Sequence, residues 1–325
     1  MEPLKFTLRS AAETISASGE KGEIIVVDDG SSPLLAEALA GFSFARTASF
    51  FRQNNSGSII ARLSGLRRAH GEFVTFLDSD DLFHPDKVRL HLAALRTANA
   101  DVSHDDRATA ELGANYQASF ASGQTVPHSS DPAEFYLRVQ PLPHSPVYRR
   151  DYLLRALADP IVPPDREMDS AGDVCLYYNL APWPARIVKV DASLSAIGPH
   201  EETRYSQHWE SLGVAALRVA EAFIDRCPDR PDTMAARTIA GEIAFDSWRR
   251  LPKDFHPAYE ARLLQVWRRA PKGSNRKLGG RGFSAIAGLV GPVVAGRLLR
   301  QLRNGSYASC RTLTAEQYDR LFASL

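Results

Sequence analysis

This chain has no run of 18 uninterrupted apolar residues, so no helix that spans a bilayer is expected. Met1 to Lys21 lacks the apolar core segment of a secretory leader, and no such leader is expected there. Cysteine is scarce. Cys175, Cys227 and Cys310 are odd in number, far apart and without metal-ligand spacing. That speaks against a disulfide framework and suits a reducing, cytoplasmic compartment with buried free thiols. Neither sign of charge is in excess, since the formal net charge is +1, so the average points to no particular partner. What is present is an ordinary globular composition. With 44% hydrophobic and 24% charged residues over 325 positions, one large domain with an appendage or two modest domains are expected.

The stretch from Asn55 to Asp86 organises the rest. Ser56 or Ser58 can cap a helix in which Ile59, Ile60, Leu63, Leu66 and Ala69 recur at helical spacing. Gly71 ends it, and Phe73 to Leu77 has the β-branched and aromatic content of a buried strand. That strand runs into Asp78-Ser79-Asp80-Asp81, and Pro85 suits the first turn of a helix using Val88, Leu92 and Leu95. Three acids within four residues repel one another unless something positive sits there. Hard oxygens spaced this way suit Mg²⁺ or Mn²⁺ shared with phosphates, whereas the plain alternative is a solvated acidic turn that caps the next helix.

A second acidic strand end precedes it. Leu4, Leu8, Ala12 and Ile15 line one side of a helix over 4–18, and Glu23 to Val27 then reads as a strand ending in Asp28-Asp29-Gly30-Ser31-Ser32. A helix from Ser32-Pro33 through Leu39 and a strand around Thr47 to Arg52 follow. Alternating strands and helices argue for an α/β, doubly wound, mostly parallel sheet flanked by helices. Both acidic ends then fall on one sheet edge, where open α/β sheets bind ligands.

VVDDGSS, then N-x-G-x-x-x-A-R-x-x-G-L-x-x-A-x-G-E from Asn55 to Glu72, then FLDSDD with a Pro-Asp shortly after, resembles the family 2 glycosyltransferases of GT-A (Rossmann-like) fold. His144 to Asp151 resembles that family's acceptor-side segment, Gly172 to Tyr178 its G-D-x-x-L helix, and Ile187 to Ala196 with His200 its closing strand and loop. The resemblance covers roughly 4–205. It implies a glycosyltransferase-like domain over 1–205, N-terminally short because the family's first strand and P-x-Y-N-like turn have no counterpart before the first helix. A sheet without that central strand leaves two neighbours with unpaired backbone groups.

The implied activity is transfer of a sugar, usually with inversion, from a UDP-, GDP- or dTDP-linked donor to a hydroxyl of a saccharide or lipid-linked acceptor. The implied cofactor is Mn²⁺ or Mg²⁺, held by Asp80 with Asp78. Asp28, Asp29 and Asp78 are the nucleotide-contacting candidates and Asp173 the catalytic base. Glu167 and Asp169 compete with Asp173 for that role, and Asp81 is ambiguous, with a helix cap as one role. Arg62 reads as an exposed helix residue or a diphosphate contact, while His144 and Ser145 are candidates to line the acceptor groove. A catalytically impaired relative that binds a ligand or partner without turnover is the alternative. FLDSDD also resembles the opening of haloacid-dehalogenase phosphatases, but Asp81-Leu82 stands where that motif continues with Thr or Val.

From about Ser206 the pattern is helical, with stretches 212–224, 233–248 and 259–267. Ten basic residues and no Asp or Glu lie between Arg262 and Arg303. Within that interval Phe283 to Leu302 is apolar, and Gly288, Gly291, Pro292 and Gly296 work against one long helix. Basic plus apolar suits peripheral contact between 262–303 and anionic lipid at the inner face of a membrane. A helical module with a solvated basic edge is the alternative. No nucleic-acid recognition module is present, and no nucleic-acid partner is expected.

Overall fold

Chain segments that alternate apolar positions with turn residues fold here into two units, one of residues 1–160 and 164–202, the other of 161–163 and 203–325. The computed structural model describes residues 2–199 and 208–323, so His200 and the expected boundary at 205/206 lie outside the described residues.

The first unit opens with α1 (Glu2–Ser18), β1 (Ile24–Asp28), the single turn α2 (Leu35–Ala38), β2 (Ala48–Arg52) and α3 (Ser58–Arg68). It continues through β3 (Phe73–Thr75), β4 (Leu82–Phe83), α4 (Lys87–Ala98), β5 (Val102–Leu112) and β6 (Ala118–Ser122). The short α5 (Pro132–Glu134), β7 (Val147–Arg149), α6 (Arg150–Ala156), α7 (Gly172–Leu180) and β8 (Ile187–Ala196) complete it.

The sheet is mixed rather than mostly parallel. Of the six pairings among the described residues, β1–β2 and β5–β8 are parallel and the other four antiparallel. The reason is local: β5 turns back into β6 through a short connection instead of a helical crossover, and β7 enters from the opposite direction. β3 and β4 lie at opposite ends of the order β3-β7-β5-β8-β4, so the acidic segment 76–81 crosses the end of this sheet. Among the described residues β1 pairs only with β2, and β3 only with β7. Among the described residues the β1–β2 pair and the six-stranded sheet thus share no strand pairing.

α1 reaches both pieces. Leu4 and Leu8 pack with Leu39 against Ile24, Val26 and Phe50, while Phe6 packs against Leu82, Ala108 and Ala196. Its polar face meets the acidic segment: Thr7 Oγ1 donates to the Asp81 carbonyl at 2.9 Å, and Ser10 Oγ and Thr14 Oγ1 accept from the amides of Phe83 and Val88. Burying a leucine such as Leu8 contributes about 1.5–3 kcal/mol to holding this helix on the β1–β2 piece.

α4 buries Lys87, His91 and Leu95 at i, i+4 and i+8, while Val88 and Leu92 are half-buried, against the apolar face expected. Lys87 Nζ donates to the Ser145 carbonyl (2.7 Å), Ser195 Oγ (2.9 Å) and Asp105 Oδ2 (3.2 Å), all buried. Burial alone would raise the Asp105 carboxyl, but the Lys87 ammonium and His91 hold it well below the usual carboxylate range. His91 is pushed down to about 4 by burial and by Lys87, and His104 to about 4 by burial and by His128.

Both histidines are therefore neutral in the folded chain and easier to protonate when it unfolds. The stability that depends on their neutrality is complete above their ordinary value of 6.5 and is lost as pH falls towards 4. Thermal unfolding measured across that window should show the midpoint dropping, with a loss on the order of 3 kcal/mol per histidine at the acid end. A flat midpoint from pH 6.5 to 4 would contradict the burial of these rings.

The second unit is helical: α8 (Trp209–Arg226), α9 (Met234–Arg250), α10 (Pro257–Arg269), α11 (Gly280–Val290), α12 (Pro292–Arg303) and α13 (Ala315–Phe322). Phe245 meets Trp248 tilted and Phe283 edge to face in its core, and Arg300 pairs with Glu260 while donating to the carbonyls of Leu251 and Pro252. Phe283 to Leu302 is two helices broken at Gly291-Pro292. Cys175 and Cys227 are buried, but Cys310 is exposed, contrary to expectation, because it sits in a surface turn after the Tyr307–Ser309 single turn. Among the described residues no helix is long and apolar enough to cross a membrane.

Candidate active site

The N-terminal turn of α3 is capped by carboxylates from elsewhere in the chain, not by Ser56 or Ser58. Asp29, just beyond β1, accepts from the amides of Ser56 (2.9 Å) and Gly57 (2.8 Å) and from Gln53 Nε2 (2.8 Å). Asp169 accepts from the Ser58 amide (2.6 Å) and from Ser58 Oγ. A helix N-terminus carries partial positive charge and unpaired amides, so two carboxylates there are stabilised where a serine hydroxyl would do less. Gly57 permits the approach, having φ 101° and leaving no room for a Cβ, which would lie 2.9 Å from the Asp169 carboxyl.

One turn further along α3 is Arg62. The sequence reading favoured an exposed helix position, but its side chain is only 10% exposed. Nη2 donates to Asp78 Oδ1 at 2.6 Å and Nη1 to Asp173 Oδ1. Burial alone would lower the guanidinium, but the charges of Asp173 and Asp78 more than compensate and hold it above its ordinary value. Asp173 begins α7 and Asp78 follows β3, so this one arginine joins the two elements that the sequence supplied as separate candidates. Among the described residues Asp173 Oδ2 has no hydrogen-bond partner, and its side chain is 44% exposed.

Both acidic strand ends are thus gathered at the first two turns of α3, Asp29 through the helix amides and Asp78 through Arg62. Asp28 is buried beneath them, accepting from the Ser31 amide (2.8 Å) and pairing with Arg52 (2.8 Å). Burial alone would raise the Asp28 carboxyl, but the hydrogen bonds at Ser31 and the Arg52 charge bring it below its ordinary value. Asp80 is half-buried at the bend between β3 and β4. Gly198 lies against it, since a Cβ there would come 1.8 Å from the Asp80 carbonyl.

Two expectations are corrected. Asp81 does not cap α4: it is buried, accepts from the Gly198 amide (3.1 Å) and pairs with His144 Nδ1 (2.8 Å). His144 and Ser145 do not line a groove. They lie in the interior, where Ser145 serves the Lys87–Asp105 network and His144 holds Asp81. Asp169, a competitor for the base role, gives its Oδ1 to the amide and hydroxyl of Ser58.

The donor set here is made of hard carboxylate oxygens. Among the described residues no group of three or more His, Cys, Asp or Glu is placed to hold a metal unaided, and Asp78 gives one oxygen to Arg62. Such a set is too small to complete a divalent cation's six-oxygen shell from protein side chains alone.

Residues 2–138 match the family model described as glycosyl transferase family 2. A Rickettsia bellii protein named as an uncharacterized glycosyltransferase is 29% identical over 120 residues, 37% of this chain and 17% of the relative. A Haemophilus influenzae protein with the same description is 32% identical over 103 residues, 31% of this chain and 41% of the relative. The chain thus spans less than half the length of each. The crystal structure of S. aureus TarS 1–349 in complex with UDP-GlcNAc superimposes with a TM-score of 0.58, covering 96% of this chain and 90% of that one at 16% identity. This likeness bears out the GT-A fold class, with its helical C-terminal region, that the motifs implied.

Proposed function

We propose that this chain, whose residues 2–138 match the family model of glycosyl transferase family 2, moves a sugar from a nucleoside diphosphate donor to a hydroxyl of a saccharide or lipid-linked acceptor, with inversion. The reading is carried by the convergence of two acidic strand ends on α3, with Arg62 tying Asp78 to Asp173. UDP-GlcNAc bound to the TarS fold supports a uridine nucleotide as the first donor to test.

In this proposal Asp28 and Asp29 shape the nucleotide site and Asp78 meets the ribose. Asp80, with Asp78 beside it in sequence, holds Mn²⁺ or Mg²⁺. When bound, that cation neutralises the charge of the leaving diphosphate. Arg62 fixes Asp173 through Oδ1, leaving Oδ2 to take the proton of the acceptor hydroxyl. The acceptor oxygen then bonds to the anomeric carbon as the bond to the diphosphate oxygen breaks, and the diphosphate departs with the electron pair. Inversion follows from this single in-line displacement.

A second reading, ligand binding without turnover, is favoured by one observation: β1 and β3 lack strand partners on their second edges among the described residues. Incubating the chain with UDP-GlcNAc, UDP-glucose and GDP-mannose plus Mn²⁺, and following donor hydrolysis, separates the two. Asp173→Asn is expected to cut turnover by about 10²–10⁴-fold while donor affinity is kept. Lost donor affinity in that variant would contradict the base assignment. A wild type that binds donor yet never consumes it would support the second reading.

A further inference from the structure

α11 and α12 each turn one face to the core of the second unit. Phe283 meets Phe245, and Gly296 lies so close to Trp248 that a Cβ would be 2.5 Å from its ring. A helix packed on one side ordinarily carries polar residues on the other. Here the exposed side mixes basic residues with a large apolar stripe. Val294, Leu298 and Leu302 repeat at i, i+4 and i+8 along the outer side of α12, and Leu289 and Val290 end α11 beside the Gly291-Pro292 break. Leu289 is 87% exposed and Leu302 81%. Single exposed leucines are ordinary, but a stripe at helical spacing with a second cluster at the adjoining helix end marks a surface that has a partner.

The charge around the stripe says which kind. No acid occurs from Arg262 to Arg303. Arg262, Arg269 and Arg300 are paired with Glu221, Asp225 and Glu260, inside the helical unit. Arg276, Arg281, Arg297 and Arg303 are exposed and have no carboxylate partner among the described residues. Arg297 stands between Val294 and Leu298 in sequence, and Arg303 follows Leu302. A second copy of this chain would bring the same arginines against themselves, which is repulsive, whereas a surface both apolar and anionic satisfies both features.

We infer that the outer face of α11 and α12 docks on an anionic lipid bilayer, with Leu289, Val294, Leu298 and Leu302 entering the acyl boundary and the unpaired arginines meeting lipid phosphates. The inference concerns the helical unit and does not rest on the transferase reading. It is tested without any turnover assay.

The full chain is sedimented with phosphatidylcholine vesicles containing about a third phosphatidylglycerol, and with vesicles of phosphatidylcholine alone. Binding to the first at least about tenfold tighter than to the second, weakened as salt is raised, is expected. Leu298→Asp with Leu302→Asp should lower the affinity at least about tenfold with an unchanged thermal midpoint, because both side chains are exposed. Arg297→Gln with Arg303→Gln, a second fold-neutral pair, should weaken binding and flatten its salt dependence. Equal binding by wild type and the aspartate pair, or no preference for anionic vesicles, would overturn the inference. So would a dimer in equilibrium sedimentation that the aspartate pair dissociates while vesicles go unbound; the occupant would then be a second copy.

Discussion

Replacing Arg62 with alanine is expected to lower donor turnover at least about a hundredfold and to destabilise the fold at the same time. Its guanidinium is the cation within hydrogen-bond reach of both Asp78 and Asp173. Without it the two carboxylates lose their shared partner, and the side chain held at the start of α7 loses its orientation. Misplacing a reacting group by about 1 Å costs on the order of 10²-fold. The stability loss is smaller than for a fully buried pair, about 1–3 kcal/mol, because Asp78 and Asp173 retain 35% and 44% of their exposure. Arg62→Lys keeps one charge but cannot donate in a fork to two acids, so it should fall between wild type and alanine. Hydrolysis kinetics and thermal melts of the three proteins decide the matter. Unchanged turnover in the alanine variant would remove Arg62 from the site.

Lys87→Met is expected to have the largest effect on stability alone. Lys87 and Asp105 are both fully buried, and removing the ammonium strands a carboxylate that has no water to turn to. Breaking such a pair costs about 3–5 kcal/mol, which for a unit of this size lowers the melting midpoint by roughly 10 °C. Adding Asp105→Asn to Lys87→Met removes the stranded charge and should restore part of the loss. A double variant no better than the single one would mean that the ion pair is not what the methionine substitution disrupts. The network also joins α4, β5, β8 and the 144–145 segment, so its loss should loosen Asp81 through His144.

The elements of this fold that local pattern specifies were legible. β1, β2, α3 and the helices α8 to α10 lie close to where apolar spacing and turn residues put them, because each is read within a window of a few turns, and α7 and β8 lie where the family resemblance put them. The mixed sheet was not legible, since which strand β5 pairs with depends on β7 and β8, tens of residues away. Lys87 and His91 share a helical face with Leu95, a signal present in the spacing, but a charged face is ordinarily the solvated one. What reverses it is Asp105, buried on β5. Arg62 is buried for a related reason: its partners, Asp173 on α7 and Asp78 after β3, lie far from it in sequence. Asp81 and His144 were assigned singly to a cap and a groove, whereas in the structure each is the other's partner.

The central claim is that the acids at the ends of β1 and β3 serve one diphosphate and one cation at the start of α3. Calorimetric titration of UDP, GDP and dTDP, with and without Mn²⁺, into wild type, Asp29→Asn and Asp80→Ala tests it most directly. Wild type should bind at least one of these nucleotides more tightly with Mn²⁺. Asp80→Ala should lose that enhancement by about tenfold or more, and Asp29→Asn should bind more weakly with or without the metal. Nucleotide binding that neither substitution changes, or none in any protein, would contradict the account.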